Sequence, residues 1–163
     1  MRSKKIIYFF LFISLISCHK KALFDKYTSV EPLWMKDTPV SFNFNINDTL
    51  SQVNLFIKLR TDDYYKYSNL FLIASLYYPG GIIQKDTLEY KMSNSDGSIM
   101  GQGNMSIKEH KLWYKGYRTP FMFQHKGDYS LEIRHAVRQM GELKGVKYLE
   151  GIIDVGFCIE KIE

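Results

Sequence analysis

The segment Val40-Ser41-Phe42-Asn43-Phe44-Asn45-Ile46 alternates apolar and polar residues over seven positions. Successive side chains on a strand point to opposite faces, so Val40, Phe42, Phe44 and Ile46 share one side. A helix would scatter the same residues around its circumference, so the pattern demands a strand with one face in a core. Residues 53–59 repeat it with Val53, Leu55, Ile57 and Leu59. Residues 70–78 are almost continuously apolar, the mark of a central strand. Residues 88–92, 121–123, 129–137 and 153–159 supply further strands. In the last, Ile153, Val155, Phe157 and Ile159 are expected to face the core, with Asp154, Cys158 and Glu160 opposite.

Turn chemistry separates these runs. Asn47-Asp48, Pro79-Gly80-Gly81, Asn94-Ser95-Asp96-Gly97 and Lys126-Gly127-Asp128 all favour chain reversal. A short helical turn is expected at residues 139–143, weakened by Gly141. No second domain or internal repeat is visible. Seven or eight strands with spaced turns predict an all-β fold, a single antiparallel β-sandwich of immunoglobulin-like or jelly-roll type.

The start of the chain is different. Arg2, Lys4 and Lys5 precede an apolar run of eleven residues, 6–16, broken only by Ser14. That is short of the roughly 20 residues a membrane-spanning helix needs, and it has the anatomy of a secretory signal peptide. Leu15-Ile16-Ser17-Cys18 looks like a bacterial lipobox, with a small residue before the cysteine. The expected organisation is a signal peptide at 1–17, a lipidated tether at 18–31 and a β-sandwich domain at 32–163. Cys18 would carry the acyl chains that hold the protein on a membrane. His19 follows it, without the aspartate of inner-membrane retention, and Lys20-Lys21 stand where acidic surface-export residues would lie. Outer-membrane residence facing the periplasm is therefore expected.

Charge adds little. The chain has 22 basic and 17 acidic residues, a net +5; without Arg2, Lys4 and Lys5 the balance is 19 to 17, or +2. There is no basic stripe of the kind that binds nucleic acid. If Cys18 is acylated, Cys158 is a lone thiol, read as a small strand residue because nothing near it in sequence would depress its pKa.

Enzyme signatures are not found. His19, His110, His125 and His135 are scattered, without HExxH or paired-cysteine spacing, so no metal site is expected. No GxSxG elbow is present. Gly97, Gly101 and Gly103 read as a turn with close strand approach rather than a dinucleotide loop. Asp62-Asp63 reads as a solvated turn rather than a calcium loop. No cofactor is expected and no catalytic residue is assigned.

The aromatic residues form two clusters. Tyr64, Tyr65 and Tyr67 fall between two expected strands beside Arg60 and Asn69, and Trp113-Tyr114 with Tyr117 lies among Lys111, Lys115 and Arg118. Exposed aromatic loops on a sandwich make contacts with proteins or sugars; alternatively the rings cap the core ends. Arg60 could equally pair with Asp62 or Asp63, and Asn69 could cap the turn. The candidate partner-binding residues are Arg60, Tyr64, Tyr65, Tyr67, Asn69, Trp113 and Tyr114.

Several of these segments carry a family resemblance. Leu33-Trp34, then residues 39–48, then Leu59-Arg60 leading to Tyr67-Ser68-Asn69-Leu70 resemble the gliding motility lipoprotein H (GldH) family of the Bacteroidetes. So do Asp96-Gly97 with Gly101-Gln102-Gly103, residues 127–133 running to Ala136-Val137-Arg138, and above all residues 149–156. Ile99-Met100 departs from the family pattern, where a tryptophan-containing step precedes the glycine pair. The resemblance implies an envelope lipoprotein associated with gliding motility and type IX secretion, with protein partners in that machinery and no enzymatic activity. The alternative, drawn from sandwich topology and loop aromatics, is a lipid-tethered carbohydrate-binding module.

Overall fold

The computed structural model describes residues 22–103, 106–139, 141 and 144–162. Ten strands follow in order: β1 (Ala22–Ser29), β2 (Leu33–Met35), β3 (Val40–Ile46), β4 (Val53–Asp62), β5 (Asn69–Tyr77), β6 (Ile83–Lys91), β7 (Ile107–Lys115), β8 (Gly127–His135), β9 (Tyr148–Glu150) and β10 (Ile152–Lys161). Five antiparallel pairings nest inside one another: β1 with β10, β2 with β9, β3 with β8, β4 with β7, and β5 with β6. The chain doubles back at residues 78–82, where Tyr78 N–H donates to the Ile82 carbonyl at 2.8 Å, and its halves pair along their length.

Two more pairings, β10 with β4 and β8 with β5, roll this ribbon up. The products are the four-stranded sheets β1-β10-β4-β7 and β3-β8-β5-β6, with β2-β9 as a separate two-stranded ribbon. Eight strands in that order are a jelly-roll. The expected antiparallel sandwich is present, and the strand order selects between the two types the sequence allowed.

The alternation does what strand geometry requires. Val40, Phe42, Phe44 and Ile46 are buried while Ser41, Asn43 and Asn45 are exposed. Leu55, Ile57 and Leu59 face them from the other sheet, and β5, placed between β8 and β6, contributes Leu70, Leu72, Ala74 and Leu76. Phe157 of β10 sits at the centre, its ring 5.8 Å from Phe24, 6.1 Å from Phe42 and 5.4 Å from Phe44. Such tilted pairs join β1, β3 and β10 across the two sheets. The far side is closed by polar contacts: Tyr90 hydroxyl donates to the Trp113 carbonyl at 2.7 Å, and Tyr114 hydroxyl and Lys115 Nζ both reach Asp86.

Three expectations need correction. The stretch assigned to a tether ending at residue 31 contains β1, an edge strand whose one large core contact is Phe24. In β10, the register shifts between Ile152 and Asp154, so Ile152 rather than Ile153 joins the core. β7 was missed because its inward residues include His110, and residues 121–123 make only an isolated bridge from Phe121 to Val53. The helical turn expected at 139–143 falls largely outside the described residues.

One end of the core is pinned by Trp34, 2% exposed. Its Nε1–H donates to the Thr38 carbonyl, and His135 packs edge-on against its ring at 5.2 Å. His135 Nε2 lies 3.0 Å from the Trp34 carbonyl, which places the ring proton on Nε2. Nearby, Gly151 carries φ +85°, and a Cβ there would collide with the Tyr65 backbone.

Gly151→Ala should therefore cost at least about 2 kcal/mol by urea unfolding, from backbone strain plus the collision. Gly81→Ala, with a similar φ of +88° but open space around it, should cost roughly half as much, about 1 kcal/mol. Burial also lowers the pKa of both His110 and His135 below 6.5. The unfolded chain then binds more protons, so stability is full above about pH 6.5 and falls as pH drops below it. Urea midpoints measured at about pH 7.5 and about pH 5.5 should show this loss, and His135→Gln should reduce it, leaving the share due to His110.

Candidate functional site

Arg60 belongs to β4 and not to the loop that follows. Position 60 faces outward, opposite Glu109 of β7 on one side and Asp154 of β10 on the other. Its Nε donates to Glu109 at 2.7 Å, its Nη1 lies 3.4 Å from Asp154, and the guanidinium stacks 4.3 Å over the Tyr27 ring. Its anions are thus cross-strand neighbours, and the expected pairing with Asp62 or Asp63 is not formed. Lys58 to Asp25 at 2.7 Å and Lys111 to Glu160 at 2.8 Å continue this lattice across the sheet's outer face. Each exposed pair contributes little alone; together they are complementary in the register the four strands adopt. Cys158 lies under this lattice, 1% exposed, and burial raises its thiol to about 11, so it stays protonated and inert.

The three tyrosines of the β4–β5 connection separate. Asp62 organises the turn, its carboxylate accepting from Tyr64 N–H at 2.9 Å and its carbonyl from Tyr65 N–H. Tyr65 is a core residue, 2% exposed, its hydroxyl donating to the Asn69 carbonyl at 2.8 Å; burial raises its pKa. Tyr67 packs edge-on against Tyr65 and is half-buried, and the Asn69 amide bonds Glu89. Tyr64 alone is open, at 63% exposure.

The second cluster divides the same way. Tyr114 points inward to Asp86, while Trp113 lies against Phe56 and Tyr117 on the outer face. Trp113 pairs with Phe56, six residues before Asp62 along β4, so roughly 20 Å separates it from the Tyr64 loop. The two candidate clusters are not one site.

The residue-level reading missed the β2-β9 ribbon. Trp34 and Leu149 turn inward, leaving Leu33, Met35 and Tyr148 on the exposed side. A shallow apolar hollow runs beside them, lined by Val30, Leu33, Met35, Pro39 and Val40. Lys66, two residues after Tyr64, reaches Glu150 of the ribbon at 3.1 Å, which joins the ribbon to the tyrosine loop. Three-residue strands hold too little alternation to be read from sequence; the available signal was three large apolar residues, Leu33, Trp34 and Met35, in a polar neighbourhood.

Fold and surface define the class: a small jelly-roll domain that presents exposed apolar side chains at the ends of its sandwich. The chain belongs to the GldH lipoprotein family, whose model matches residues 22–159. It is 46% identical to "Gliding motility lipoprotein GldH" of Flavobacterium johnsoniae over 149 residues, 91% of each chain. It is 41% identical to "Gliding motility lipoprotein GldH homolog" of Christiangramia forsetii over 163 residues, 99% of this chain and 98% of the relative. Among solved structures, a chain of infectious bursal disease virus Gx strain is 13% identical with a TM-score of 0.36, over 86% of this chain and 30% of that one. At that score the likeness carries no argument.

The tyrosine loop makes a direct test of these placements. Tyr65→Phe removes one hydrogen bond and should cost about 1 kcal/mol. Tyr65→Ala opens the core and should cost about 3–5 kcal/mol. Tyr64→Ala should stay within about 0.5 kcal/mol of wild type by chemical unfolding.

Proposed function

We propose that this chain is a lipid-anchored lipoprotein of the outer membrane, facing the periplasm, that serves gliding motility and type IX secretion as a non-enzymatic assembly component. The near-full-length 46% identity to a gliding motility lipoprotein carries the reading. Leu15-Ile16-Ser17-Cys18 supplies the anchor, and the resemblance noted above supplies the link to secretion. The acyl chains on Cys18 hold the membrane, and envelope proteins of the machinery are the partners.

The working surface is the end built from Tyr64, the β2-β9 ribbon and the adjoining apolar hollow. Tyr64, Leu33, Met35 and Tyr148 are exposed there, beside the Lys66–Glu150 pair. Aromatic and Met side chains around an apolar hollow, rimmed by charge, are the composition of a protein contact. Tyr67 and Asn69 support Tyr65 beneath this end. Arg60 is engaged by Glu109 and Asp154 on the outer face of β4, and Trp113 and Tyr114 lie outside the working end. Tyr65 and Tyr114 are committed to the core, so they are withdrawn from the stacking platform that a carbohydrate module would use.

Replacing the Flavobacterium johnsoniae relative with this chain should restore colony spreading. The Tyr64→Ala, Tyr148→Ala double variant should keep its melting temperature within about 2 °C yet fail to restore spreading. Spreading by that variant would place the working surface elsewhere, and failure of the unsubstituted chain would count against the motility role. Separately, Cys18→Ser should accumulate unprocessed precursor and lose labelling by radioactive palmitate.

A further inference from the structure

We infer that the sandwich end opposite the working surface rests directly on the bilayer, with the tips of three loops seated among the lipid headgroups. This rests on the proposed acylation of Cys18. The first strand begins at Ala22, four residues later. Four extended residues span at most roughly 14 Å, so the start of β1 is held close to the membrane. No long tether separates the domain from it.

The register decides which loops share that end. Ala22 of β1 lies opposite Glu160, and Lys161 pairs with Val53, so the starts of β1 and β4 and the end of β10 are together. Leu55 pairs with Lys115, bringing in the end of β7, and Ile46 pairs with Gly127 in the other sheet. The loops at this end are therefore residues 47–52, 78–82 and 116–126. They form one continuous surface: Phe121 bridges to Val53, Met122 and Ile82 line one hollow, and Leu23 and Asp48 line another.

Every one of these loops raises an apolar side chain into solvent. Leu50 is 88% exposed, Tyr117 72%, Ile82 60% and Met122 50%, with Leu23 of β1 at 52%. Charge fits an anionic lipid surface. Arg118 and Lys126 stand in the loops and Lys20-Lys21 precede the strand. The single loop acid, Asp48, is held by Leu50 and Ser51 amides and approached by Lys161. The loops at the far end are mixed in charge, with Glu31, Asp37, Asp63 and Asp96 offset by Lys36, Lys66, Arg138, Lys144 and Lys147. Apolar tips among basic residues are the composition that inserts at a headgroup boundary.

The test uses the acylated full chain in a Cys158→Ala background, reconstituted into phosphatidylethanolamine–phosphatidylglycerol vesicles. A bimane label is placed at Leu50→Cys or, at the opposite end, at Tyr64→Cys. The label at position 50 should be quenched by spin-labelled lipid and shielded several-fold from iodide relative to position 64. Equal iodide access at both positions, with the N-terminal peptide shown by mass to carry its acyl chains, overturns membrane seating and leaves the anchor standing. An N-terminal peptide without acyl chains overturns the anchor and this inference with it.

Discussion

The pairing of β10 with β4 is the interaction on which the rest of the structure depends. Without it β1-β10 and β4-β7 would be separate two-stranded ribbons, each burying too little to persist alone in water. With it, β10 gains neighbours on both edges, and Phe157 is carried to the point where Phe24, Phe42 and Phe44 converge. The rings supply large apolar areas, and their tilted contacts set how the sheets approach. Because β10 and β4 are about a hundred residues apart, this contact makes the topology non-local.

The outer face of the same sheet shows a second consequence. Once four strands are in register, side chains far apart in sequence become cross-strand neighbours, and Arg60, Glu109 and Asp154 are one such set. Charges that look unattached along the chain are complementary across it. The lattice leaves the centre of this face saturated, so exposed apolar surface concentrates at the ends of the sandwich. The proposed lipid anchor at one end and the proposed contact surface at the other would lie along the same axis, the simplest arrangement for a small domain tied at its N-terminus.

Much of the architecture was legible along the chain. β3, β4 and β5 follow from alternation or continuous apolarity because nearly all their inward positions carry Val, Leu, Ile or Phe, with Ala74 in β5 and Thr61 at the end of β4 the exceptions. β1 and β7 were hidden for a physical reason: edge strands bury one face incompletely, so β1 needs one large core residue and β7 tolerates His110 and Tyr114 inward. The bulge at Ile153 puts Ile152 rather than Ile153 on the core side, while Val155, Phe157 and Ile159 keep the face their alternation gives. Of the candidate site, Tyr64 is as exposed as its loop position suggested. Its neighbour Tyr65 is not, and nothing in Tyr64-Tyr65 as a dipeptide says which ring turns inward.

The sequence by itself determined an all-β chain with one core, the face that each well-alternating strand would bury, the turn at Pro79-Gly80-Gly81 and the family. Those features are local, set by side-chain period, backbone preference and motif order. Only the tertiary structure decided the jelly-roll order, the pairing of Arg60 with Glu109 and Asp154, the assignment of Tyr65 and Tyr114 to the core, and the ribbon that carries Leu33, Met35 and Tyr148. Each of these depends on which strands lie side by side, and that is settled by contacts between residues dozens of positions apart, where alternation carries no record of the partner.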